Sequence, residues 1–340
     1  MRLWDEMVWA LAGWERKMSI NRVQFQKGLS LHGFLEIYGS ERQCRDALQR
    51  SRWPEGFRCP ECGDGAHSRF ERGGQQYFQC SRCRHQCTLL SGTLFEATKL
   101  PLMKWFLAIY LLTASKTNLA ALELMRHLGV CYRTAWRLKQ KLMQAMTEQE
   151  ETRKLSGLVQ IDDAYLGGER TGGKPGRGSE NKQAFVIAVQ TSDDLRPLYA
   201  VAEPLPGFSS LAVRAWVDRR LAPGCEVYSD GLAAFRQFAE AGHAHTVLET
   251  TGRRAATEAS GAIWANIVLA NIKRSISGAY HSIRQAKYAR RYLAEATYRF
   301  NRRFDLEVLV PEFLLALANT KPCAETILRK ASNYSAEVRR

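Results

Sequence analysis

Leu158-Val-Gln-Ile-Asp162-Asp163-Ala-Tyr-Leu-Gly-Gly168 decides the fold class of this 340-residue chain. Its apolar start predicts a β-strand, and two acids before a glycine pair predict that the strand ends in a turn. Downstream, residues 184–190 and 198–202 read as further strands, and 209–221 as a helix. Glu226-Val-Tyr-Ser-Asp230-Gly231 is another short strand that ends in an acid. Residues 232–241 read as a helix, 246–249 as a strand and 264–274 as a last helix. A flexible basic loop rich in Gly, Lys and Arg falls at 171–179, and a polar loop at 252–257.

Three strands, then helix, strand, helix, strand, helix is the order of an RNase H-like domain, an α/β fold with a mixed sheet flanked by helices. In that order the first and fourth strands are neighbours at the sheet centre, so Asp162 and Asp230 come together at strand ends. Paired carboxylates suit hard divalent cations such as Mg²⁺, and two such ions serve phosphoryl transfer. A third ligand is expected from the last helix, where Asn266 stands. Lys273 lies seven residues on, two helical turns, and shares its side of the helix. Asp163 is the alternative to Asp162; adjacent strand residues face opposite sides, so only one of them is expected at the site. Plainer roles exist for each: turn acids at strand ends, and the wet face of a helix.

Upstream stand Cys59-Pro-Glu-Cys62 and Cys80-Ser-Arg-Cys83, with seventeen residues between the pairs. Two Cys-x-x-Cys turns bring four thiolates together, the tetrahedral set of a structural Zn²⁺ with no open position. His85 and Cys87 are read as non-ligands because four cysteines fill the shell. Arg58, Arg69, Arg72, Arg82 and Arg84 surround this ribbon and suit phosphate. Residues 29–53 read as helical, stopped by Pro54 and Gly56. Residues 101–113, 118–128 and 132–146 read as three helices, with Gly129 as the stop between the last two. This is a helix-turn-helix outline, and Arg133, Arg137 and Lys139 on its last helix are placed to touch DNA.

A formal net charge of +15 points to an anionic partner, nucleic acid being the commonest. From Asn271 to Arg340, fourteen Lys and Arg stand against six Asp and Glu, so the basic balance leans towards the last helix and beyond. No apolar run is long enough for a membrane span, and no secretory leader pattern is present, so a cytoplasmic protein is expected. Nine cysteines, four of them in pairs, suit a reducing compartment and metal binding rather than disulfides. The expected organisation is 1–17 an upstream or non-native extension before Met18, 18–56 a helical segment, 57–90 the zinc ribbon, and 91–155 the helix-turn-helix-like DNA-binding region. Residues 156–310 form the catalytic domain and 311–340 a helical tail.

Several pieces occur together across residues 18–305. They include Trp53-Pro-Glu-Gly-Phe-Arg-Cys-Pro-Glu-Cys62, Ser91-Gly-Thr-Leu-Phe95, Ile161-Asp-Asp-Ala-Tyr-Leu-Gly-Gly168, Tyr228-Ser-Asp-Gly231, Trp264-Ala-Asn-Ile-Val-Leu-Ala-Asn-Ile-Lys273, Gly278-Ala-Tyr-His281 and Tyr298-Arg-Phe-Asn-Arg-Arg303. With them the chain resembles a DDE-type insertion-sequence transposase, of the group with a zinc ribbon and an ISXO-type catalytic domain. The resemblance implies a catalytic set of Asp162, Asp230, Asn266 and Lys273. Asp162, Asp230 and Asn266 would hold Mg²⁺ or Mn²⁺, and Lys273 would contact phosphate. Many relatives outside the group carry Glu at the third position, so Asn266 departs from the broad pattern and matches the narrow one. Glu258 ranks below it, being next to the preceding loop.

The resemblance further implies hydrolysis at the element's ends, then direct attack of the freed 3′-hydroxyls on target DNA. It also implies an assembly of several copies on paired ends. DNA contacts are expected from Arg274, His281, Arg299, Arg302 and Arg303. A zinc-ribbon DNA-binding protein with an inactive catalytic domain is the alternative; the presence of both aspartates argues for activity.

Overall fold

Two serines set the entry to the chain. In the computed structural model, which describes residues 23, 25–167, 182–248, 262–280 and 285–330, the Ser30 hydroxyl accepts from Gly33 N–H and starts α1 (Leu31–Tyr38). Ser40 does the same for Gln43 and starts α2 (Glu41–Arg52). The expected helical stretch 29–53 is therefore two helices, broken at Gly39 because a capping serine begins a new helix. Residues 1–17, with their predicted extension, lie outside the described residues, as do the predicted loops 171–179 and 252–257.

The ribbon follows as an antiparallel sheet, β1 (His67–Arg72), β2 (Gln75–Cys80) and β3 (Gln86–Thr88), in that order. It is welded to α2 through aromatic packing: Phe78 lies 4.8 Å from Trp53 and stacks on Phe57 at 5.5 Å. Next come α3 (Leu102–Ala114), α4 (Ala121–Leu128) and α5 (Tyr132–Glu151). Pro101 gives α3 no side-chain cap, so Glu41 supplies one from α2, accepting from Leu102 N–H at 2.9 Å and Met103 N–H at 3.1 Å. Gly129 ends α4 with φ +58°, a left-handed turn that glycine adopts freely. One apolar core joins ribbon and helices, with Phe34, Phe95, Phe106, Leu124 and Leu142 all buried. From the far end of the chain, α10 (Leu309–Asn319) adds Phe313 and Leu317 to that core, and α11 (Glu325–Arg329) lies beside α5.

The second unit is a five-stranded mixed sheet: β4 (Leu158–Leu166), β5 (Gln183–Thr191), β6 (Pro197–Pro204), β7 (Glu226–Ser229) and β8 (Ala244–Val247). Their order is β6-β5-β4-β7-β8; β4, β5 and β6 are antiparallel neighbours, whereas β7 runs parallel to β4 and to β8. One face is covered by α6 (Ser210–Arg220), a 3₁₀ turn (Ala233–Arg236) and α7 (Gln237–Glu240), through Val213, Trp216, Phe235 and Phe238. The other is covered by α8 (Ile263–Ala279) and α9 (Gln285–Asn301), through Val268, Leu269, Ile272 and Leu293.

Three local expectations change. β4 does not end at its acids but runs on to Leu166, because β5 pairs with it as far as Leu166 opposite Gln183. The helix expected over 232–241 is a 3₁₀ turn, Ala233–Arg236, followed by the single turn α7. The last strand spans Ala244–Val247, two residues earlier than the pattern suggests. Among the described residues no helix is long and apolar enough to cross a membrane.

Candidate active site

The acids meet because β4 and β7 run parallel, side by side. Leu158, Val159 and Gln160 stand opposite Glu226, Val227 and Tyr228. Two residues further along each chain come Asp162 and Asp230, so both leave the sheet at one level. One carboxylate oxygen from each of Asp162, Asp163 and Asp230 lies within 4.8 Å of the other two. This corrects the expectation that only one of the two adjacent acids stands beside Asp230. Alternation sends Val159 and Ile161 to the α6 face, and Ala164 and Leu166 to the α8 face. By the same parity Asp162 belongs to the α8 face and Asp163 to the other. But β7 stops at Ser229, so β4 has an open flank at this level, and both carboxylates reach Asp230 across it.

The loop carrying Asp230 is tied down locally. Asp230 Oδ1 accepts from Leu232 N–H at 3.2 Å, and Ser229 Oγ donates to the Asp230 carbonyl at 3.0 Å. His245 Nε2 lies 2.8 Å from the same hydroxyl. Burial, then the charges of Asp163 and Asp230, push the Asp162 carboxyl up to about 6, against the opposing pull of Lys273. Half-buried carboxylates that repel one another are a donor set suited to a hard divalent cation, which turns their repulsion into attraction.

Helix α8 is carried to this centre by the central strand. Its first residues have no capping side chain of their own; Gln160 Oε1 on β4 accepts from Trp264 N–H at 2.8 Å and from Ala265 N–H at 3.3 Å. Asn266 comes next and is half-buried, while Lys273 and Arg274 are exposed. The sequence held a clue to Gln160: a polar residue inside an apolar strand, at the same parity as Asp162. Asp163 was visible too, but its arrival at the site depends on where the distant strand β7 ends, at Ser229.

The four cysteines form a second centre. Their sulfurs all lie within 4.8 Å of one another, with Cys59–Cys83 and Cys62–Cys80 at 3.5 Å. Tetrahedral Zn²⁺ with bonds of about 2.3 Å needs sulfurs roughly 3.8 Å apart, so the set fits zinc. Gly63 N–H donates to the Cys59 carbonyl at 2.9 Å, and Arg84 N–H to the Cys80 carbonyl at 3.1 Å. Both residues after the knuckles take positive φ, +71° for Gly63 and +63° for Arg84. The amides of Cys83 and Arg82 hold the Cys80 thiol down to about 7, whereas burial and the neighbouring thiols push Cys83 up.

Residues 154–301 match the family model of the ISXO2-like transposase domain, and residues 39–86 match that of the transposase zinc-ribbon domain. A protein of Halobacterium salinarum described as an uncharacterized protein in transposable element ISH50 is 28% identical over 218 residues, covering 59% of this chain and 71% of the relative. The chain thus carries an ISXO2-like transposase domain behind a transposase zinc-ribbon domain.

The basic residues predicted to touch DNA fall into two groups. Arg133 and Arg137 lie on the outer side of α5, both 3.4 Å from Glu325 of α11, and Arg133 keeps 74% of its side chain exposed. Arg329, on that same short helix, lies over the Trp136 ring at 4.5 Å. Arg274 is exposed on α8, and His281 lies outside the described residues.

Lys139 corrects its expected role. It is 1% exposed, paired with Glu295 at 3.2 Å and bonded to the Leu119 carbonyl and the Tyr280 hydroxyl, so it cannot reach phosphate. The helical period that puts Arg133 and Arg137 outside turns Lys139 towards α9. Arg299 is likewise bound inward, to Glu295 at 3.0 Å and to Asn118. Arg302 lies over Tyr298 and pairs with Glu150 at 2.6 Å; Arg303 donates to the carbonyls of Phe300 and Leu198. As placed, Arg299, Arg302 and Arg303 tie α9 to its neighbours rather than offer themselves to DNA.

Proposed function

We propose that this transposase binds the ends of its insertion sequence, cuts them by metal-dependent hydrolysis and joins them to target DNA. The catalytic unit is an RNase H-like domain over about residues 156–310. The observation that carries this reading is the convergence of Asp162, Asp163 and Asp230 from two parallel central strands. Asp162 and Asp230, with the Asn266 carboxamide, are assigned as holders of Mg²⁺ or Mn²⁺, and Asp163 is added as a further carboxylate of the same centre. Bound there, such ions activate the attacking oxygen and steady the leaving one.

The remaining roles belong to the chain itself. Lys273, whose charge acts on Asp162, is assigned to the phosphate beside the scissile bond. In the first step water oxygen bonds to phosphorus and the 3′-oxygen leaves with a proton, giving a free 3′-hydroxyl. In the second that hydroxyl oxygen bonds to a target phosphorus and displaces the neighbouring 3′-oxygen, so no bond to protein forms. Arg133, Arg137 and Arg274 supply exposed positive charge for double-stranded DNA, and the helix-turn-helix-like region and ribbon are assigned to end recognition. A homo-oligomer on paired ends completes the proposal.

The test is cleavage and strand transfer on DNA duplexes carrying the sequences that flank the gene, with Mg²⁺ or Mn²⁺. Asp230→Ala should lower both steps roughly a hundredfold or more while end binding persists. Equal rates for wild type and Asp230→Ala would remove the acids from the chemistry.

A further inference from the structure

We propose that Gln160 is a positioning residue that sets the register of α8 against β4, and through it the presentation of Asn266 to the acids. The inference rests on the assignment of Asn266 to the metal centre. Helix α8 needs an external cap: Ala262, at its N-cap, has no side-chain oxygen to offer the first amides. The one acceptor oxygen of Gln160 takes two of them, from Trp264 and Ala265. Gln160 is fully buried in the middle of β4, so the contact is removed from water and held by the strand.

Its place in the chain gives the contact meaning. Gln160 is two residues before Asp162, on the same face and about 7 Å away along the strand. Asn266 follows directly after the second captured amide. The rest of α8 is held by Val268, Leu269, Ile272 and Ile276, an apolar stripe against the sheet. Such packing fixes the spacing of helix and sheet but is non-directional, and so controls rotation and axial slip weakly. A slip by one residue would turn Asn266 by about 100° about the helix axis. The hydrogen bonds of Gln160 are directional and oppose that slip. A second tie acts on the same end: the Trp264 indole N–H donates to the Leu195 carbonyl in the turn between β5 and β6.

The test uses the full-length, zinc-loaded protein and reads Mn²⁺ binding by the EPR signal of the free ion. Gln160→Met keeps the volume and removes the acceptor; it should weaken Mn²⁺ binding about tenfold, the usual scale for an outer partner of a metal ligand. Asn266→Ala should cost a similar factor, and Gln160→Met added to Asn266→Ala should cost no more, because both act through one oxygen. A general loosening of the domain would weaken binding equally in both backgrounds, and that outcome overturns the proposal, as does unchanged binding in Gln160→Met. Should Gln160→Met fail to fold, Gln160→Glu decides: it keeps the acceptor and suits a helix N-terminus, so binding should stay within about threefold of wild type. A tenfold loss in that variant overturns the proposal. A wild type that binds Mn²⁺ with this pattern yet cuts no DNA would sink the transposition chemistry and leave the clamp standing.

Discussion

The zinc ribbon and the acidic centre are both clusters of side chains of the metal-ligating type, yet they are built in opposite ways. The ribbon takes its four sulfurs from two knuckles within one small antiparallel sheet, Cys59 to Cys83, and closes around them. The acidic centre takes its carboxylates from β4 and the residue after β7, with two strands and a helix between them in the chain, and among the described residues no strand pairs with β4 on the flank where β7 ends. Soft, crowded thiolates give a site whose purpose is to hold a fold together; hard carboxylates with an open side give one that can admit phosphate. The first stands or falls with the metal, whereas the second rests on a sheet that folds around apolar cores on both faces.

The largest effect should come from the ribbon. Cys80→Ser, or zinc removal by a chelator, should unfold residues 57–90, since metal binding in such modules is worth about 10 kcal/mol or more of folding free energy. Limited proteolysis would then cut the ribbon while the sheet domain keeps its Mn²⁺ affinity. Joint loss of both would show that the two centres are not independent. Next in size is the ion pair where α5 meets α9. Burial pushes Glu295 up, but the charges of Lys139 and Arg299 outweigh it and hold its carboxyl below the ordinary range. Lys139→Met should therefore destabilise the chain by about 3 kcal/mol in denaturant melts, the lower end for a broken buried pair because Arg299 remains.

The acidic centre should respond to pH. Its Asp162 carboxyl is raised from 3.8 to about 6, so the folded state holds the extra proton between those values. The metal-free protein should lose stability as pH rises through that window, and saturating Mn²⁺ should restore it. Mn²⁺ affinity should in turn fall below pH 6 by up to about tenfold per unit, and Asp162→Asn should abolish the dependence. The smallest effect belongs to the knuckles. Arg84 occupies the left-handed conformation that Gly63 occupies in the first knuckle, so Arg84→Gly should stabilise the zinc-loaded ribbon by up to about 1 kcal/mol in thermal melts. A loss of stability there would mean that the Arg84 side chain matters more than its backbone.

Much of this was legible without coordinates. The Cys-x-x-Cys pairs, the strand and helix order of the sheet domain, Gly129 as a helix stop and the pairing of Asp162 with Asp230 all follow from local pattern, and the structure brings those groups together. The placement of the basic residues did not follow. Arg137 and Lys139 are two residues apart on one helix, and helical period sends one to solvent and the other to a buried carboxylate. A count of positive charge cannot make that distinction, because burial depends on which helix packs alongside.

The sequence by itself determined the metal-binding chemistry, the order of the elements and the identity of two acids, because residue type and short-range spacing carry those properties. Tertiary structure decided that Asp163 joins them, that Lys139 is buried against Glu295, and that Gln160 carries the start of α8. Each depends on where a distant element ends or packs. The flank of β4 opens only because β7 stops at Ser229, and the amides of Trp264 and Ala265 find an acceptor only because β4 lies beneath them.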